Sequence, residues 1–253
     1  MTPPIPIGTA GWTIPKPVSD QFPGEGSQLE RYARVMTAAE INSSFYKPHR
    51  RTTYERWAAS TPPGFRFSVK TPRQLTQHQK LADPEPGLDQ FAAEVAGLGE
   101  KLAVVLVQLP PSLAFEEAVA DTFFKALHDR VDAAVACEPR HASWASDAVD
   151  AWLAERRVAR VAADPPRGVV SPSNADDPQP AVPTPGGWRG LSYYRLHGSP
   201  RIYYSAYETE FLDRLAQALA NDAAAGHSWC IFDNTTSGAA LENALSLHAQ
   251  LAD

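Results

Sequence analysis

The sequence predicts an α/β protein with a single domain over residues 1–253, folded as a TIM-type (β/α)8 barrel. Short β-rich segments alternate strictly with helical patterns, which is typical of parallel strands joined by right-handed crossovers. We count eight strand segments, the number that closes a TIM barrel. Polar residues end nearly every segment, whereas an open doubly wound sheet gathers its ligand-binding groups at one switch point.

The predicted strands are short runs in which β-branched, aromatic and small residues alternate between two faces. In chain order they are IPIGTA (5–10), EINSSF (40–45), FRFSVK (65–70), LAVVLVQL (102–109), AAVACEP (133–139), ARVAAD (159–164), LSYYRLH (191–197) and SWCIFD (228–233). Both cysteines, Cys137 and Cys230, lie inside these apolar runs, so we expect reduced core residues and no disulfide framework.

Stretches with a 3.6-residue period separate the strands, and each presents one apolar face that fits against a sheet. Such faces are formed by Val119, Phe123, Ala126 and Leu127, by Phe211, Leu212, Leu215 and Leu219, and by Leu241, Ala244, Leu245 and Ala249. The sixth crossover is different, because residues 165–188 contain too many prolines for a helix. We predict an irregular Pro-rich loop there, either a mobile lid or a tolerated insertion.

The composition limits the classes of partner. A formal charge of -6, from 23 basic and 29 acidic residues, argues against double-stranded nucleic acid and against an anionic membrane surface. A small anionic ligand or a single-stranded nucleic acid stays compatible with a local basic patch. No apolar run approaches the ~20 residues of a membrane span and no secretory leader is evident, so we predict a cytoplasmic protein.

Seven motifs follow one another along the chain: GTAGW (8–12), EINSSFY (40–46), FRFSVKTP (65–72), LVQLPPS (106–112), EPRHASW (138–144), YYRLHGSP (193–200) and FDNTTSGAALENA (232–244). In this order they resemble the YecE-like family, also called domain of unknown function 72. The resemblance implies a TIM-type barrel, draws attention to His78 and Asn234, and implies no established reaction. The sequence differs from the family at Asp233, where asparagine is expected, and at Gln77, where the run into the histidine is usually shorter.

Glu138, Arg140 and His141 are the densest cluster of candidate functional groups. Glu138 shares a strand face with Ala134 and Ala136, whose small side chains leave room for a carboxylate inside the barrel. The guanidinium of Arg140 suits a carboxylate or a phosphate, and His141 is able to exchange a proton near neutral pH. An ion pair between Glu138 and Arg140 that only braces the rim is the structural alternative.

Arg195 and His197 alternate along the seventh segment and therefore face the same way. A histidine followed by glycine at the carboxyl end of a barrel strand is well placed to meet a ligand, and a hydrogen-bonded core histidine is the alternative. Lys70, at the end of the third segment, has the chemistry to hold an anion, to form a Schiff base, or to neutralise Glu40 or Glu138. A Schiff base needs a lowered pKa, which neighbouring carboxylates oppose, so we predict an electrostatic role for Lys70.

Other polar and aromatic residues complete the predicted lining of the barrel mouth. We predict catalytic roles for Glu138, His197, His141 and Asp164, and substrate-binding roles for Glu40, Asn42, Tyr46, Lys70, His78, Gln108, Arg140, Trp144, Arg195 and Asn234. A divalent metal would find acceptable ligands in Glu40, Glu138, Asp164 and His197. Three nearby cations and the absence of an HExxH motif disfavour a metal, and without a GxGxxG or P-loop fingerprint no cofactor is predicted.

Two functions fit this lining. The first is an enzyme, a hydrolase, lyase or isomerase, that uses general acid/base chemistry on a small anionic, phosphorylated or nucleotide-like substrate at the C-terminal mouth of the barrel. In it Arg140, Arg195 and Lys70 bind charge, and Glu138 or His197 moves the proton. The second is a non-catalytic binding module for a nucleotide, a single-stranded nucleic acid or a protein partner, with rim aromatic rings that stack on the ligand.

Overall fold

One sheet runs through the protein and curves into a nearly closed barrel. The computed structural model describes residues 5–166 and 180–251. Its strands are β1 (Ile7–Ala10), β2 (Ala38–Ile41), β3 (Arg66–Lys70), β4 (Leu102–Gln108), β5 (Ala134–Glu138), β6 (Val158–Arg160), β7 (Ala162–Asp164), β8 (Gly186–Gly187), β9 (Leu191–Leu196) and β10 (His227–Phe232). They pair in the order β7-β9-β10-β1-β2-β3-β4-β5-β6-β8. All neighbours are parallel except β6 and β8.

Helices on the outside of the sheet complete a single α/β domain. They are α1 (Gln28–Tyr32), α2 (Arg51–Ala59), α3 (Glu85–Val95), α4 (Glu117–His128), α5 (Asp147–Glu155), α6 (Thr209–Ala223) and α7 (Ala239–Gln250). The predicted apolar faces are confirmed on α4 and α6, where Phe123 and Leu215 are fully buried. Within the described ranges, no helix combines the length and the apolar character needed to cross a bilayer.

The expectation of eight regular strand units is not confirmed, because the sheet has ten strands. The segment predicted as the sixth strand is split at Val161, and its two halves pair with different neighbours. Its first half, β6, pairs with β5, and its second half, β7, pairs with β9. The extra strand β8 runs antiparallel to β6, and glycine is required there because a Cβ at Gly187 would lie 2.5 Å from the Val158 carbonyl oxygen.

The predicted strand over residues 40–45 is wrong in its second half. The strand lies earlier, at Ala38–Ile41, and Ser43–Phe45 form a 3-10 turn. Ser44 explains the change, because its Oγ lies 2.8 Å from the Ile41 carbonyl oxygen and 2.6 Å from that of Lys70. A serine hydroxyl that bonds nearby backbone groups favours a turn over a continued strand.

The predicted irregular loop over residues 165–188 is described only at its two ends. Residues 165–166 and 180–185 carry no helix or strand, and β8 follows at 186–187. The remaining part of the predicted loop, 167–179, lies outside the described residues.

The barrel interior changes from apolar to charged along the direction of the strands. Its apolar layer consists of Ala38, Val104, Leu106, Ala136, Ala159, Val161, Leu191, Tyr193, Trp229 and Ile231. Side chains alternate along a strand, so the next inward position of β9 after Tyr193 is Arg195, and the next after Ile231 is Asp233. The polar side chains predicted at the strand ends therefore lie next to the apolar layer, at the carboxyl end of the barrel, as the alternation indicated.

Candidate functional site

Charged and polar side chains from six strands meet at the carboxyl end of the barrel. We refer to them as the mouth cluster, which consists of Glu40 on β2, Lys70 on β3, Gln108 on β4, Glu138 on β5, Arg140 just after β5, Arg195 on β9, His197 just after β9 and Asp233 just after β10. All of them except Asp233 are among the residues predicted from the sequence.

Arg195 is the centre of the mouth cluster and is completely buried. Its Nε and Nη2 hold Glu40 in a bidentate pair at 3.0 and 2.7 Å. Nη2 also lies 3.0 Å from Asp233 Oδ2, and Nη1 lies 3.1 Å from Glu138 Oε2. Burial opposes the charge, but the three carboxylates raise the pKa of Arg195 well above its ordinary value. Since all three guanidinium nitrogens face carboxylates, Arg195 and Glu40 position the cluster, and this geometry lends no support to direct contact with a substrate.

Glu40 is held in place by Tyr193, whose ring belongs to the apolar layer of the barrel interior. The Tyr193 hydroxyl lies 3.1 Å from Glu40 Oε2 and 2.8 Å from Ser68 Oγ. Burial and the adjacent Glu40 carboxylate raise the pKa of Tyr193 well above its ordinary value, so the phenol stays protonated and donates to Glu40. A buried carboxylate with this many partners is held in one orientation.

His197 bridges two carboxylates. Its Nε2 lies 3.0 Å from Glu138 Oε1, and its Nδ1 lies 3.0 Å from Asp233 Oδ2. Ionised carboxylates only accept hydrogen bonds, so the doubly protonated ring is the form that satisfies both contacts. Arg195 Nη1 lies 3.3 and 3.4 Å from the two ring nitrogens, and these near-equal distances put it against the ring face rather than in line with either nitrogen.

The two carboxylates beside His197 are held in the ionised form. Burial opposes ionisation of Glu138, but Arg195, His197 and Arg140 hold the pKa of Glu138 well below its ordinary value. Burial likewise opposes the charge of Asp233, and Arg195 and His197 keep its pKa below the ordinary value. Both groups therefore act as carboxylates at neutral pH.

Arg140 and Gln108 cover Glu138 from the rim. Arg140 Nε and Nη2 both bond Glu138 Oε1, at 3.2 and 2.7 Å, and Gln108 Nε2 donates to Glu138 Oε2 at 3.0 Å. The rim-bracing pair between Glu138 and Arg140 that the sequence offered as an alternative is thus present. The third nitrogen, Arg140 Nη1, has no hydrogen-bond partner among the described residues.

Lys70 differs from the rest of the cluster, because it is buried without a partner. Its side chain is 4% exposed, and Nζ has neither a hydrogen-bond nor an ion-pair partner in the described part of the chain. Nζ lies 4.0 Å from the centroid of the Phe45 ring. Burial, reinforced by the charge of Arg195, lowers the pKa of Lys70 to about 8.

The carboxylates of the cluster oppose this shift, as the sequence argument expected, but they do not prevent it. Glu40, Glu138 and Asp233 each act to raise the pKa of Lys70. They are already bonded directly to Arg195, and the loss of hydration at Lys70 outweighs their attraction. The face of an aromatic ring favours an ammonium group by only ~0.5–2 kcal/mol.

Asp164 lies beside the mouth cluster and has a different partner. Its Oδ2 accepts a 2.7 Å hydrogen bond from the Tyr207 hydroxyl, and burial raises the pKa of Asp164. Its link to the cluster is through the backbone, where the His197 amide donates to the Asp164 carbonyl at 2.8 Å. The geometry therefore gives no direct support to the catalytic role predicted for Asp164.

Three other predicted residues serve local structure. His141 Nδ1 lies 2.9 Å from Ser143 Oγ and caps the turn at Ala142–Trp144. Trp144 is buried, and its Nε1 donates to the Leu113 carbonyl at 3.0 Å, so its ring packs in the core rather than at an open rim. Asn234 is one residue out of phase with the inward face of β10, and its Nδ2 bonds the Ser205 carbonyl oxygen at 2.9 Å.

The remaining predicted residues lie around the rim. Asn42 is half-buried after β2, and its Oδ1 has no partner in the described part of the chain. Tyr46 is 64% exposed. His78 is exposed at the end of a π-helical turn, and the neighbouring Gln77 is the residue that reaches a strand, with Nε2 3.0 Å from the Gln108 carbonyl oxygen.

The four side chains considered as metal ligands do not form one group, although Glu138 and His197 bond each other. Glu40 is paired with Arg195, and Asp164 bonds Tyr207. Over residues 5–166 and 180–251, no three His, Cys, Asp or Glu side chains are grouped to hold a metal ion.

Comparison with known proteins agrees with the motifs and with the barrel. The family described as "Protein of unknown function DUF72" matches residues 6–253. The chain belongs to the DUF72 family. The UPF0759 protein YunF of Bacillus subtilis is 28% identical over 148 residues, a match that covers 56% of this chain and 52% of that protein. The chain thus spans about half the length of this curated relative.

Two solved DUF72 structures share the fold. A DUF72 family protein from Enterococcus faecalis V583 superposes with a TM-score of 0.77 at 21% identity, over 98% of this chain and 96% of that one. A DUF72 family protein from Thermotoga maritima MSB8 superposes with a TM-score of 0.75 at 22% identity, over 98% of this chain and all of the other. At this level of identity the likeness extends to the fold alone.

Two members of the site were not among the predicted residues, although the sequence contained the signal for both. Asp233 follows Trp229 and Ile231 at intervals of two, and Tyr193 precedes Arg195 by two. Alternation along the strand therefore identifies both as inward-facing. The resemblance drew attention to Asn234 instead, which lies on the other face.

Proposed function

We propose that this protein is a cytoplasmic enzyme that uses general acid/base chemistry on a small anionic substrate at the mouth of a (β/α)8 barrel, in which β6 and β7 are two halves of one strand. One observation supports it most. In the mouth cluster His197 bridges the carboxylates of Glu138 and Asp233. Two cationic groups of the same cluster, Lys70 and Arg140, have donors that are unpaired among the described residues. The free, buried thiols of Cys137 and Cys230 fit a reducing compartment.

The anionic character of the substrate follows from the unpaired donors. Lys70 Nζ and Arg140 Nη1 have no partner among residues 5–166 and 180–251, although both lie in a crowded polar site. A carboxylate or phosphate group would satisfy them, and guanidinium and ammonium groups are the usual protein partners of such anions. In this proposal the substrate completes the charge balance of the mouth cluster.

Proton transfer is the part of the proposal that depends on His197. Asp233 Oδ1 has no hydrogen-bond partner among the described residues, whereas Oδ2 is bonded to His197 and Arg195. The free oxygen is available to a substrate, and His197 links it to Glu138. A histidine held between two carboxylates passes a proton from one to the other without moving.

A ligand screen followed by two substitutions tests this function. Phosphorylated and carboxylated metabolites are screened by thermal shift, since a ligand at 100 times its Kd adds about 2.7 kcal/mol of stability. His197→Gln and Glu138→Gln should bind each hit and lose at least ~100-fold in turnover. His227→Gln, at the exposed amino-terminal end of β10, is the matched control. Unchanged turnover in both cluster variants would end the proposal, provided that far-UV circular dichroism shows them folded.

A second candidate, a module that binds single-stranded nucleic acid, is favoured by the exposed aromatic rings. Tyr46, Tyr203 and Tyr204 are 64%, 38% and 41% exposed, and all three lie in loops that follow carboxyl ends of barrel strands. Base stacking on such rings is worth ~1–3 kcal/mol per base. Stabilisation by oligonucleotides without any product, and none by small anions, would select this candidate over the enzyme.

A further inference from the structure

We infer that Lys70 forms a Schiff base with an aldehyde or ketone that carries a carboxylate or phosphate group, an inference that rests on the proposed function and names its substrate class. Lys70 is on β3, at the same carboxyl end of the barrel as the other members of the mouth cluster. Four features of this position support the Schiff base, and they concern the partners of Lys70, its apolar cover, its protonation and the charges around it.

The first feature is that the other cations of the cluster occupy the carboxylates. Glu40, Glu138 and Asp233 are bonded by Arg195, and Glu138 is bonded again by Arg140. A lysine that served only to neutralise one of these acids would lie within bonding distance of it. Nζ of Lys70 has no such partner in the described part of the chain, so its amino group is not engaged by an acid there.

The second feature is an apolar cover that the backbone holds in place. The Phe45 ring lies 4.0 Å from Nζ. Its neighbour Ser44 places Oγ 2.6 Å from the Lys70 carbonyl oxygen, which ties the turn to the end of β3. This bond holds the Phe45 ring beside the lysine, and the ring keeps water from one side of the amine.

The third feature is the neutral amine that such an environment produces. Burial and Arg195 lower the pKa of Lys70 to about 8. At pH 7 roughly a tenth of the side chain is then neutral, against fewer than about one in a thousand for an exposed lysine. Only the neutral amine attacks a carbonyl carbon.

The reaction balances without any oxidant or reductant. The ammonium first releases a proton to solvent, and the Nζ lone pair then forms a bond to the carbonyl carbon while the C=O electrons move to oxygen. The nitrogen passes its second proton to that oxygen, and the resulting hydroxyl takes up a proton from solvent and leaves as water. Overall, Lys70–NH3+ and O=CR2 give Lys70–NH+=CR2 and one water, so the proton released by the ammonium is balanced by the proton taken up on the departing oxygen.

The fourth feature is that the product keeps a positive charge beside carboxylates. Glu40, Glu138 and Asp233 favour a cation at Nζ. An iminium ion remains cationic at neutral pH, so the same three groups stabilise it. An iminium withdraws electrons from the adjacent carbon, and removal of a proton or a carbon group there is the acid/base chemistry of a lyase.

Reductive trapping tests the inference directly. The full-length protein is treated at pH 7 with a limiting amount of formaldehyde and sodium cyanoborohydride, and each lysine-containing peptide is quantified by mass spectrometry. Formaldehyde needs no anion recognition, so this arm reports the amine alone. Lys70 should be methylated at least ~10-fold faster than any of Lys16, Lys47, Lys80, Lys101 and Lys125. Labelling of Lys70 no faster than these five lysines would overturn the Schiff base.

A second arm separates failure of the Schiff base from failure of the proposed function. Glycolaldehyde phosphate replaces formaldehyde, with glycolaldehyde as the uncharged match. Trapping on Lys70 that is at least ~10-fold faster with the phosphorylated aldehyde supports both. Fast trapping with no preference for the phosphorylated aldehyde would support a reactive amine at Lys70 and contradict an anionic substrate. Thermal stabilisation by the phosphorylated aldehyde without any trapped product keeps anion binding and overturns the Schiff base.

Variants at the site and at a distant lysine complete the test. Lys70→Arg keeps the charge and should abolish the trapped adduct while the thermal shift with glycolaldehyde phosphate persists. Lys125→Met, on the exposed face of α4, should leave the labelling of Lys70 unchanged. An adduct of unchanged total yield in Lys70→Arg would assign the trapping to another amine and refute the inference.

Discussion

Replacing Arg195 by methionine removes the guanidinium that Glu40, Glu138 and Asp233 share. The side chain is fully buried, so water does not replace it. Removal of one partner from a buried ion pair typically costs ~3–5 kcal/mol, because the other partner stays buried and uncompensated. We expect a loss in this range. For a domain of this size it corresponds to a melting temperature lower by roughly 6–20 °C.

The pH dependence identifies the cause of that loss. In the wild-type protein the pKa values of Glu138 and Asp233 lie below their ordinary values, so the stability they contribute is present above about pH 4–5 and falls as acid protonates them in the folded state. Without Arg195, burial is the leading influence and moves both pKa values upward. The folded variant then binds protons more tightly than the unfolded chain, and its deficit grows as the pH rises. We expect a larger deficit at pH 8 than at pH 5.

The assay is urea unfolding followed by circular dichroism at both pH values. Arg51→Met is the matched control, because Arg51 is 61% exposed and its pair with Glu55 contributes only ~0.3–0.5 kcal/mol. A deficit below about 1 kcal/mol in Arg195→Met, or an equal deficit at pH 5 and pH 8, would show that the guanidinium does not hold the carboxylates in the way described.

Three further predictions concern single side chains. Lys70→Met should stabilise the protein by about 1–3 kcal/mol at pH 7. It should also remove the stability that the wild type gains between pH 8 and 10, because in that range the unfolded lysine still binds a proton and the folded one does not. Urea titrations at pH 7, 8 and 10 measure both effects. Asp164→Asn should reduce the loss of stability that the wild type shows above pH 4, because burial raises the pKa of Asp164 and the folded state binds the proton more tightly; equal slopes against pH would contradict this. Trp144→Ala should cost ~3–5 kcal/mol through a core cavity, whereas Tyr46→Ala should change stability by less than ~0.5 kcal/mol, as measured by chemical denaturation.

Most of the site was predictable from one periodicity. Side chains alternate along a strand, so a polar residue at the inward phase of a strand end must lie at the barrel mouth. Lys70, Glu138 and Arg195 all lie at this inward phase, and so does Asp233. The strand itself stops one residue before Asn42, because β2 ends at Ile41, where the Ser44 hydroxyl bonds the Ile41 carbonyl oxygen in a turn.

The fold was predictable as a class and less so in detail. Alternation of strand and helix indicates a parallel sheet wrapped by helices, and among the described residues the structure confirms this for every strand pair except β6 and β8. The split at Val161 and the antiparallel strand β8 depend on which neighbour each short segment reaches in space. Local sequence does not indicate which neighbour a strand will pair with, because the pairing joins segments that are far apart in the chain.

By itself the sequence determined which residues can lie inside the barrel, because alternation and apolar periodicity are properties of neighbouring residues. Only the tertiary structure decided how those residues share their charges. Arg195 takes the carboxylates of Glu40, Glu138 and Asp233, and Lys70 is left beside Phe45 without one. The pKa of Lys70 depends on distances between groups on different strands and on the water that each loses, so it is set when the barrel closes.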